Sequence, residues 1–198
     1  MHIERYRTNL LSMDGIAIYY GKILTFEEAS GYFHSLLQNT PWKNDEVVVF
    51  GKHIVTKRKI AWYGNSNYVY IYSNTIKQAL PWTRELLNLK QIVENRSNTK
   101  FNSCLLNLYH DGNEGMGWHS DDEKSIEENS TIASISFGAE RKFSFKHKQN
   151  KKIISVLLEH GSLLLIKEVT QKNWLHSLPK SKKITLPRIN LTFRRMVT

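Results

Sequence analysis

The sequence predicts a mainly β chain with flanking helices, an α+β protein whose second half folds as a sandwich or jelly roll. Three observations predict it. Beyond residue 100, short apolar or alternating runs are separated by turn signals such as Asp111-Gly112-Asn113 and Gly138-Ala139-Glu140. Helical periodicity is confined to the part before residue 100. The 198 residues, 40% of them hydrophobic, suffice for one core, and no repeat or low-complexity linker divides them.

Thr25-Phe26-Glu27-Glu28 reads as a capping box, and Phe26, Ala29, Phe33, Leu36 and Leu37 follow at helical spacing, so a helix is expected over 25–39. A second starts at Pro81-Trp82-Thr83, buries Leu86, Leu87, Leu89 and Val93, and stops at Asn95-Arg96-Ser97-Asn98. Strands are expected at 46–50, 67–73, 101–109, 131–137, 141–147, 152–158, 162–166, 173–178 and 189–195. The helices, coming early, are expected to brace one outer face of the β core.

Lys and Arg number 28 against 18 Asp and Glu, a formal net charge of +10. Such a surplus favours a polyanionic partner or an acidic surface, and it also serves solubility. Cys104 is the single cysteine, which excludes an internal disulfide and a zinc–thiolate cluster. Its apolar neighbours make it a small buried hydrophobe. Neither a signal core nor an apolar run of about 18 residues is present, so the expectation is a soluble, cytoplasmic monomer without membrane attachment.

The sharpest local feature is Gly117-Trp118-His119-Ser120-Asp121-Asp122-Glu123. In an extended segment His119 and Asp121 point the same way. With His176, far downstream in Trp174-Leu175-His176-Ser177-Leu178-Pro179, they make up two histidines and a carboxylate, the facial triad of non-haem Fe(II) oxygenases. His-x-Asp alone also occurs in many surface turns. The remaining histidines read as solvated or structural.

The C-terminal run Pro187-Arg188-Ile189-Asn190-Leu191-Thr192-Phe193-Arg194-Arg195 supplies independent support. As a strand it puts Arg188, Asn190, Thr192 and Arg194 on one face. Arginines that face a protein interior need an anion, and guanidinium forks pair bidentately with carboxylates. Asn107 and Tyr109 also share a strand face and can join the same anion site.

These residues resemble the AlkB family of 2-oxoglutarate-dependent nucleic-acid dealkylases. The resemblance rests on His119-Ser120-Asp121, His176 and the Arg-x-Asn-x-Thr-x-Arg run over 188–194. It extends through Ile132–Ala139, Arg141–His147 and His160-Gly161-Ser162-Leu163-Leu164, continuous from about Glu46 to Met196. It implies a double-stranded β-helix (jelly roll) core braced by N-terminal helices. It also implies one domain over 1–198, divided into N-terminal strand and helix support (1–45), a nucleotide-recognition region (46–100) and the jelly-roll core (101–198).

The resemblance further implies Fe(II) held by His119, Asp121 and His176, with 2-oxoglutarate and O2 as co-substrates. 2-Oxoglutarate is assigned to Asn107, Tyr109, Arg188 and Arg194, with Asn190 assisting. The activity it implies is oxidative demethylation of 1-methyladenine and 3-methylcytosine in single- or double-stranded DNA, releasing formaldehyde. A bacterial cell would carry it out at the nucleoid. The similarity is closest to the branch that repairs double-stranded DNA. There Val49-Phe50-Gly51-Lys52 resembles a base-flipping finger. Tyr70 and Tyr72 match base-pocket positions, and Glu123, with Asp122 beside it, matches an acidic position facing the exocyclic edge of the base. Arg58, Lys57 and Lys59, and Lys146, His147 and Lys148, are candidates for phosphate contacts.

Other readings are an RNA demethylase of the same family, a zinc hydrolase and a non-catalytic nucleic-acid-binding module. The hydrolase leaves Arg188, Arg194, Asn107 and Tyr109 without a common purpose, and the binding module leaves the metal residues without one.

Overall fold

The alternation in Arg188-Ile189-Asn190-Leu191-Thr192-Phe193-Arg194 sorts that strand's side chains onto two faces, apolar and polar. The computed structural model describes residues 8–49, 52–65, 69–72 and 75–197, and it carries this division across a whole sheet. Its elements in chain order are β1 (Ile16–Lys22), α1 (Phe26–Asn39), β2 (Lys43–Val49), β3 (Lys52–Gly64), β4 (Val69–Tyr72), β5 (Thr75–Gln78), β6 (Leu80–Pro81), α2 (Arg84–Ser97), β7 (Ser103–Tyr109), β8 (Met116–His119), β9 (Ile132–Gly138), β10 (Arg141–His147), β11 (Ile153–Leu158), β12 (Ser162–Lys167), α3 (Thr170–Asn173), β13 (Trp174–Leu178) and β14 (Arg188–Arg194).

The larger sheet has eight strands in the order β1-β12-β9-β14-β7-β3-β2, with β6 added alongside β3. The smaller has four, in the order β11-β10-β13-β8, and β4 and β5 form a separate hairpin. All described pairings are antiparallel except β3 with β6. Two mainly antiparallel sheets with helices on one outer side agree with the α+β, jelly-roll expectation.

The apolar face of the larger sheet carries Leu106, Ile135, Leu163, Ile189, Leu191 and Phe193, and packs against Ala29 and Leu36 of α1 and Leu86, Leu89 and Val93 of α2. Burying a large aliphatic side chain contributes about 1.5–3 kcal/mol, so this layer is a main source of stability. Cys104 belongs to it and is fully buried, and burial pushes its thiol well above the usual range. A second cluster closes one end of the space between the sheets, where Ile132, Leu164 and Ile166 meet Phe145, Leu158 and Trp174. What remains between the sheets is a cavity lined by both polar and apolar side chains.

Both helices start where the sequence places them. Thr25 accepts from the Glu28 N–H and the Glu28 carboxylate accepts from the Thr25 N–H, a complete capping box. Thr83 caps α2, which ends at Asn98 in the left-handed conformation (φ 51°). Buried Glu94 ties the end of α2 to the next strand: it accepts from the Phe101 N–H at 2.9 Å and from Lys100 Nζ at 2.8 Å, with Lys90 Nζ at 3.2 Å. Burial alone would raise its carboxyl, but these donors hold it below its ordinary value.

Some strands were not legible in the sequence. β3 is one of them, a strand of the larger sheet within the 46–100 region expected for recognition, while β1 falls in the 1–45 segment expected to supply strand and helix support. β3 pairs with β7 from Lys59 to Gly64, so the middle of the chain helps build the cavity wall. Its run Lys57-Arg58-Lys59 masks the strand pattern, because the arginine points inward.

Gly138 ends β9 at the turn into β10 with φ +79°, and a Cβ there would lie 2.4 Å from the Pro187 carbonyl and 2.7 Å from the Phe33 ring. Gly138→Ala is therefore expected to cost about 1–3 kcal/mol in urea unfolding, with the fold retained. Glu94 makes a second test. Its folded-state pKa is lowered, so its stabilisation is present above the unfolded value of about 4.5 and is lost as pH falls through the folded value. Thermal unfolding between pH 6 and 3 should show a smaller acid-induced loss for Glu94→Gln than for the wild type.

Candidate metal centre and anion site

The side chains of the triad converge. β8 runs beside β13, and His119 and His176 are cross-strand partners with ring centroids 4.2 Å apart. β8 ends at His119, so Asp121 lies beyond the strand and simple alternation does not place it. Two other contacts do. The Asp121 N–H donates to Gln171 Oε1 at 2.9 Å, and Arg194 Nη2 donates to Asp121 Oδ2 at 2.8 Å. One ligand atom from each of His119, Asp121 and His176 then lies within 4.8 Å of the others. Asp121 Oδ1 faces His119 Nε2 at 3.9 Å, so one oxygen is held by Arg194 while the other points at the histidines.

Protonation states suit a metal. His119 Nδ1 donates to the Gly117 carbonyl at 2.9 Å, which leaves the Nε2 lone pair free to ligate. Burial pushes the His176 imidazole down to about 4; Asp121 opposes the shift, and His119 and Arg194 add to it. Burial alone would raise the Asp121 carboxyl, but Arg194, His176 and His119 together hold it well below the usual carboxylate range. At neutral pH the buried pair is thus a carboxylate and a neutral imidazole, the forms that bind metal.

The triad lines a cavity of about 240 Å³ that also reaches Arg58, Trp62, Asn107, Tyr109, Glu123 and Arg188. Strand register explains the set. Arg188 pairs with Tyr109, and Asn190 with both Asn107 and Ser136, so the polar faces of three neighbouring strands coincide. Arg188 is only 1% exposed. It donates to Ser136 Oγ at 2.9 Å, while its Nε is buried with no partner. Burial pushes its guanidinium down to about 10; Tyr109 opposes this and Arg141 adds to it. It remains a cation at neutral pH, and no carboxylate among the described residues pairs with it. A buried cation without a counter-ion is costly, so the site fits an anionic ligand. Asn107 Oδ1 is likewise buried and unpartnered, and turning that amide by 180° presents an N–H at the same spot.

Other sequence-designated residues are placed less simply. Asn190 faces the same side, but its amide donates to Ser134 Oγ at 2.8 Å and to the Ile135 carbonyl at 2.9 Å. Arg194 stands beside Asp121, so it takes part in the metal centre. Arg58 corrects an expectation: it was read as a phosphate contact, yet it is buried, pairs with Asp45, and lies 6.0 Å from the centroid of the Tyr109 ring. An inward position on β3 commits it to the cavity wall. His147, also read as a phosphate contact, is buried and 3.2 Å from Asp14, and Lys148 is tied to the Gln171 carbonyl at 2.9 Å. Glu123 lines the cavity, while Asp122 is exposed and accepts from Ser120 at 2.9 Å. The side chains of Val49, Tyr70 and Tyr72, and the whole of Phe50 and Gly51, lie outside the described residues.

Sequence reasoning missed Gln171, Asp45 and Arg141. Arg141, 2% exposed, donates to the carbonyls of Asp111 (3.2 Å), Glu114 (2.9 Å) and Pro179 (2.9 Å), tying together loops at the rim of the cavity. None of the three sits in a motif with a chemical rationale of its own. Only the signal of a charged residue at an inward strand position was available, and for Arg141 alone.

Comparison with known proteins accords with this geometry. A model of the 2OG-Fe(II) oxygenase superfamily matches residues 16–194. The mouse protein named DNA oxidative demethylase ALKBH2 is 35% identical over 94% of this chain and 83% of its own length. The chain belongs to the AlkB family of 2OG-Fe(II) oxygenases. The human ALKBH2 protein is 39% identical over 76% of this chain but 61% of its own length. The bovine alkB homolog 3, an α-ketoglutarate-dependent dioxygenase by name, is 36% identical over 85% of this chain and 62% of its own. This chain therefore spans about three-fifths of those two relatives. A solved structure titled "The structure of OsALKBH1" superposes with a TM-score of 0.62 at 16% identity, over 90% of this chain and 97% of that one, which speaks for the fold. Members of the family work with Fe(II), 2-oxoglutarate and O2, and the AlkB triad and the uncompensated Arg188 fit the metal and the diacid.

Two outcomes follow. Arg194→Met should weaken Mn(II) or Co(II) binding by calorimetry about 10- to 100-fold, since Asp121 loses the donor that orients it. Arg188→Met should raise the 2-oxoglutarate dissociation constant more than about tenfold while leaving metal affinity nearly unchanged.

Proposed function

We propose that this protein is an oxidative DNA demethylase that removes N-alkyl groups from bases such as 1-methyladenine and 3-methylcytosine. The observation that carries the reading is the conjunction, in one cavity, of a two-histidine, one-carboxylate cluster with a buried arginine that has no counter-ion among the described residues. A zinc hydrolase would use the first and leave the second uncompensated. The names of the relatives, oxidative demethylases of DNA, support the substrate class.

The roles of the chain's own residues follow from position. His119, Asp121 and His176 would hold Fe(II). Arg194 is the arginine at the metal, so Arg188 would take the carboxylate of 2-oxoglutarate remote from it, with Tyr109 and Asn107 alongside. Bound iron with 2-oxoglutarate and O2 supplies the oxidation of the alkyl carbon, after which the hydroxymethyl amine releases formaldehyde and the base is restored. Trp62, Ile132 and Phe143 give the cavity apolar walls that keep water from the reacting carbon. Glu123 puts a carboxylate where a base made cationic by methylation would sit, a favourable pairing in a partly dry site. Such a protein would act wherever the cell keeps its DNA.

Mass spectrometry of methylated single- and double-stranded DNA and RNA, incubated with Fe(II), 2-oxoglutarate and O2, tests the reading. Loss of the methyl group from DNA, with equimolar succinate, is expected; preferential turnover of RNA would move the protein to the RNA demethylases. His119→Ala and Asp121→Ala should abolish turnover, and undiminished activity in either would refute the ligand assignment. Glu123→Gln should lower kcat/KM for 3-methylcytosine about tenfold by removing the charge that meets the cationic base.

A further inference from the structure

His119 is the most exposed member of the triad, with its side chain 36% exposed against 8% for Asp121, so the metal centre is open to solvent on its side. The preceding residue, Trp118, sits on β8, the edge strand of the smaller sheet, and is 40% exposed. Adjacent strand residues point to opposite faces, so the indole lies on the outer face while the His119 imidazole turns inward. Lys146 Nζ lies 4.9 Å from the centroid of the Trp118 ring. Strand register puts Ile153 opposite Lys146 and Leu157 opposite Lys142, and these two apolar side chains are 58% and 51% exposed. These residues are two lysines and three large apolar side chains. The two long helices pack on the other sheet and leave them uncovered among the described residues.

A large exposed indole beside a cation, on the rim of a site that accepts a base, has a specific use. A base inside the cavity stays joined to its neighbours, so the adjoining nucleotides must cross the protein surface next to the opening. Every nucleobase has a π face that an indole can stack on, whatever its identity, and a lysine at the ring meets the phosphate that accompanies it. Charge complementarity favours a polyanion on this +10 chain, and the aromatic ring favours one that carries bases. We propose that Trp118 and Lys146 form a stacking platform for a nucleotide flanking the target base on the same DNA strand. This rests on the reading of the cavity as a base site.

The test measures binding apart from turnover. A fluorescein-labelled, unmodified single-stranded oligodeoxynucleotide of about 12 nucleotides is titrated with the full chain, and affinity is read by anisotropy. Trp118→Ala should weaken binding about tenfold, Trp118→Phe should retain most of it, and Lys146→Ala should reduce the slope of affinity against salt by about 0.7. Turnover of the mononucleotide 1-methyl-dAMP, which has no neighbours, should be unchanged in Trp118→Ala. Oligonucleotide affinity within twofold of wild type in Trp118→Ala overturns the platform. So does an equal loss of mononucleotide turnover, since the indole would then act through His119. If the wild-type protein demethylates neither 1-methyl-dAMP nor the same oligonucleotide carrying 1-methyladenine, yet binds the unmodified oligonucleotide through Trp118, the demethylase reading fails and the platform stands.

Discussion

A buried guanidinium without a counter-ion among the described residues governs the rest of this structure. Arg188 is 1% exposed, hydrogen-bonded to Ser136 through one nitrogen and unpartnered at another. Removing a cation from water costs several kcal/mol unless an anion joins it. The fold tolerates it because the core on the opposite face of the same strand, with Ile189, Leu191 and Phe193 fully buried, stabilises β14 independently. One strand thus serves two purposes: its odd positions hold the fold together and its even positions build the ligand site.

The metal centre has a different logic. Its two histidines are set by strand pairing, which is rigid and strongly specified when one face is buried. Its aspartate sits beyond the end of β8 and depends on contacts from afar: a side-chain acceptor from α3 and a guanidinium from β14. Lys148 adds a further link, since its ammonium donates to both the Gln171 carbonyl and Ser120 Oγ, on either side of that contact. The anion site and the metal site are therefore joined through β14, which supplies Arg188 to one and Arg194 to the other.

Much of this was legible beforehand because it rests on periodicity. The capping box at Thr25, the end of α2 near Asn98 and the sorting of residues 188–194 onto two faces all follow from local rules of backbone geometry, and the structure agrees with them. Arg58 shows where such reading fails. Between two lysines it looks like part of a solvated basic patch, yet the pleat turns it inward to Asp45, which emerges from an irregularity in the β2–β3 pairing. Nothing local signals that irregularity, because a shift in register appears only when both strands are in place.

The sequence by itself determined the residue types and their faces: two histidines and an aspartate in a metal-binding pattern, arginines alternating with apolar residues, and the helices that cover one side. These follow from chain periodicity, which needs no partner. Only the tertiary structure decided that Arg194 orients Asp121 while Arg188 awaits an anion, that Gln171 holds the aspartate's backbone, and that Arg58 belongs to the cavity wall. Those are distances between segments 50 or more residues apart, or across a pairing irregularity, and no local rule of sequence contains them.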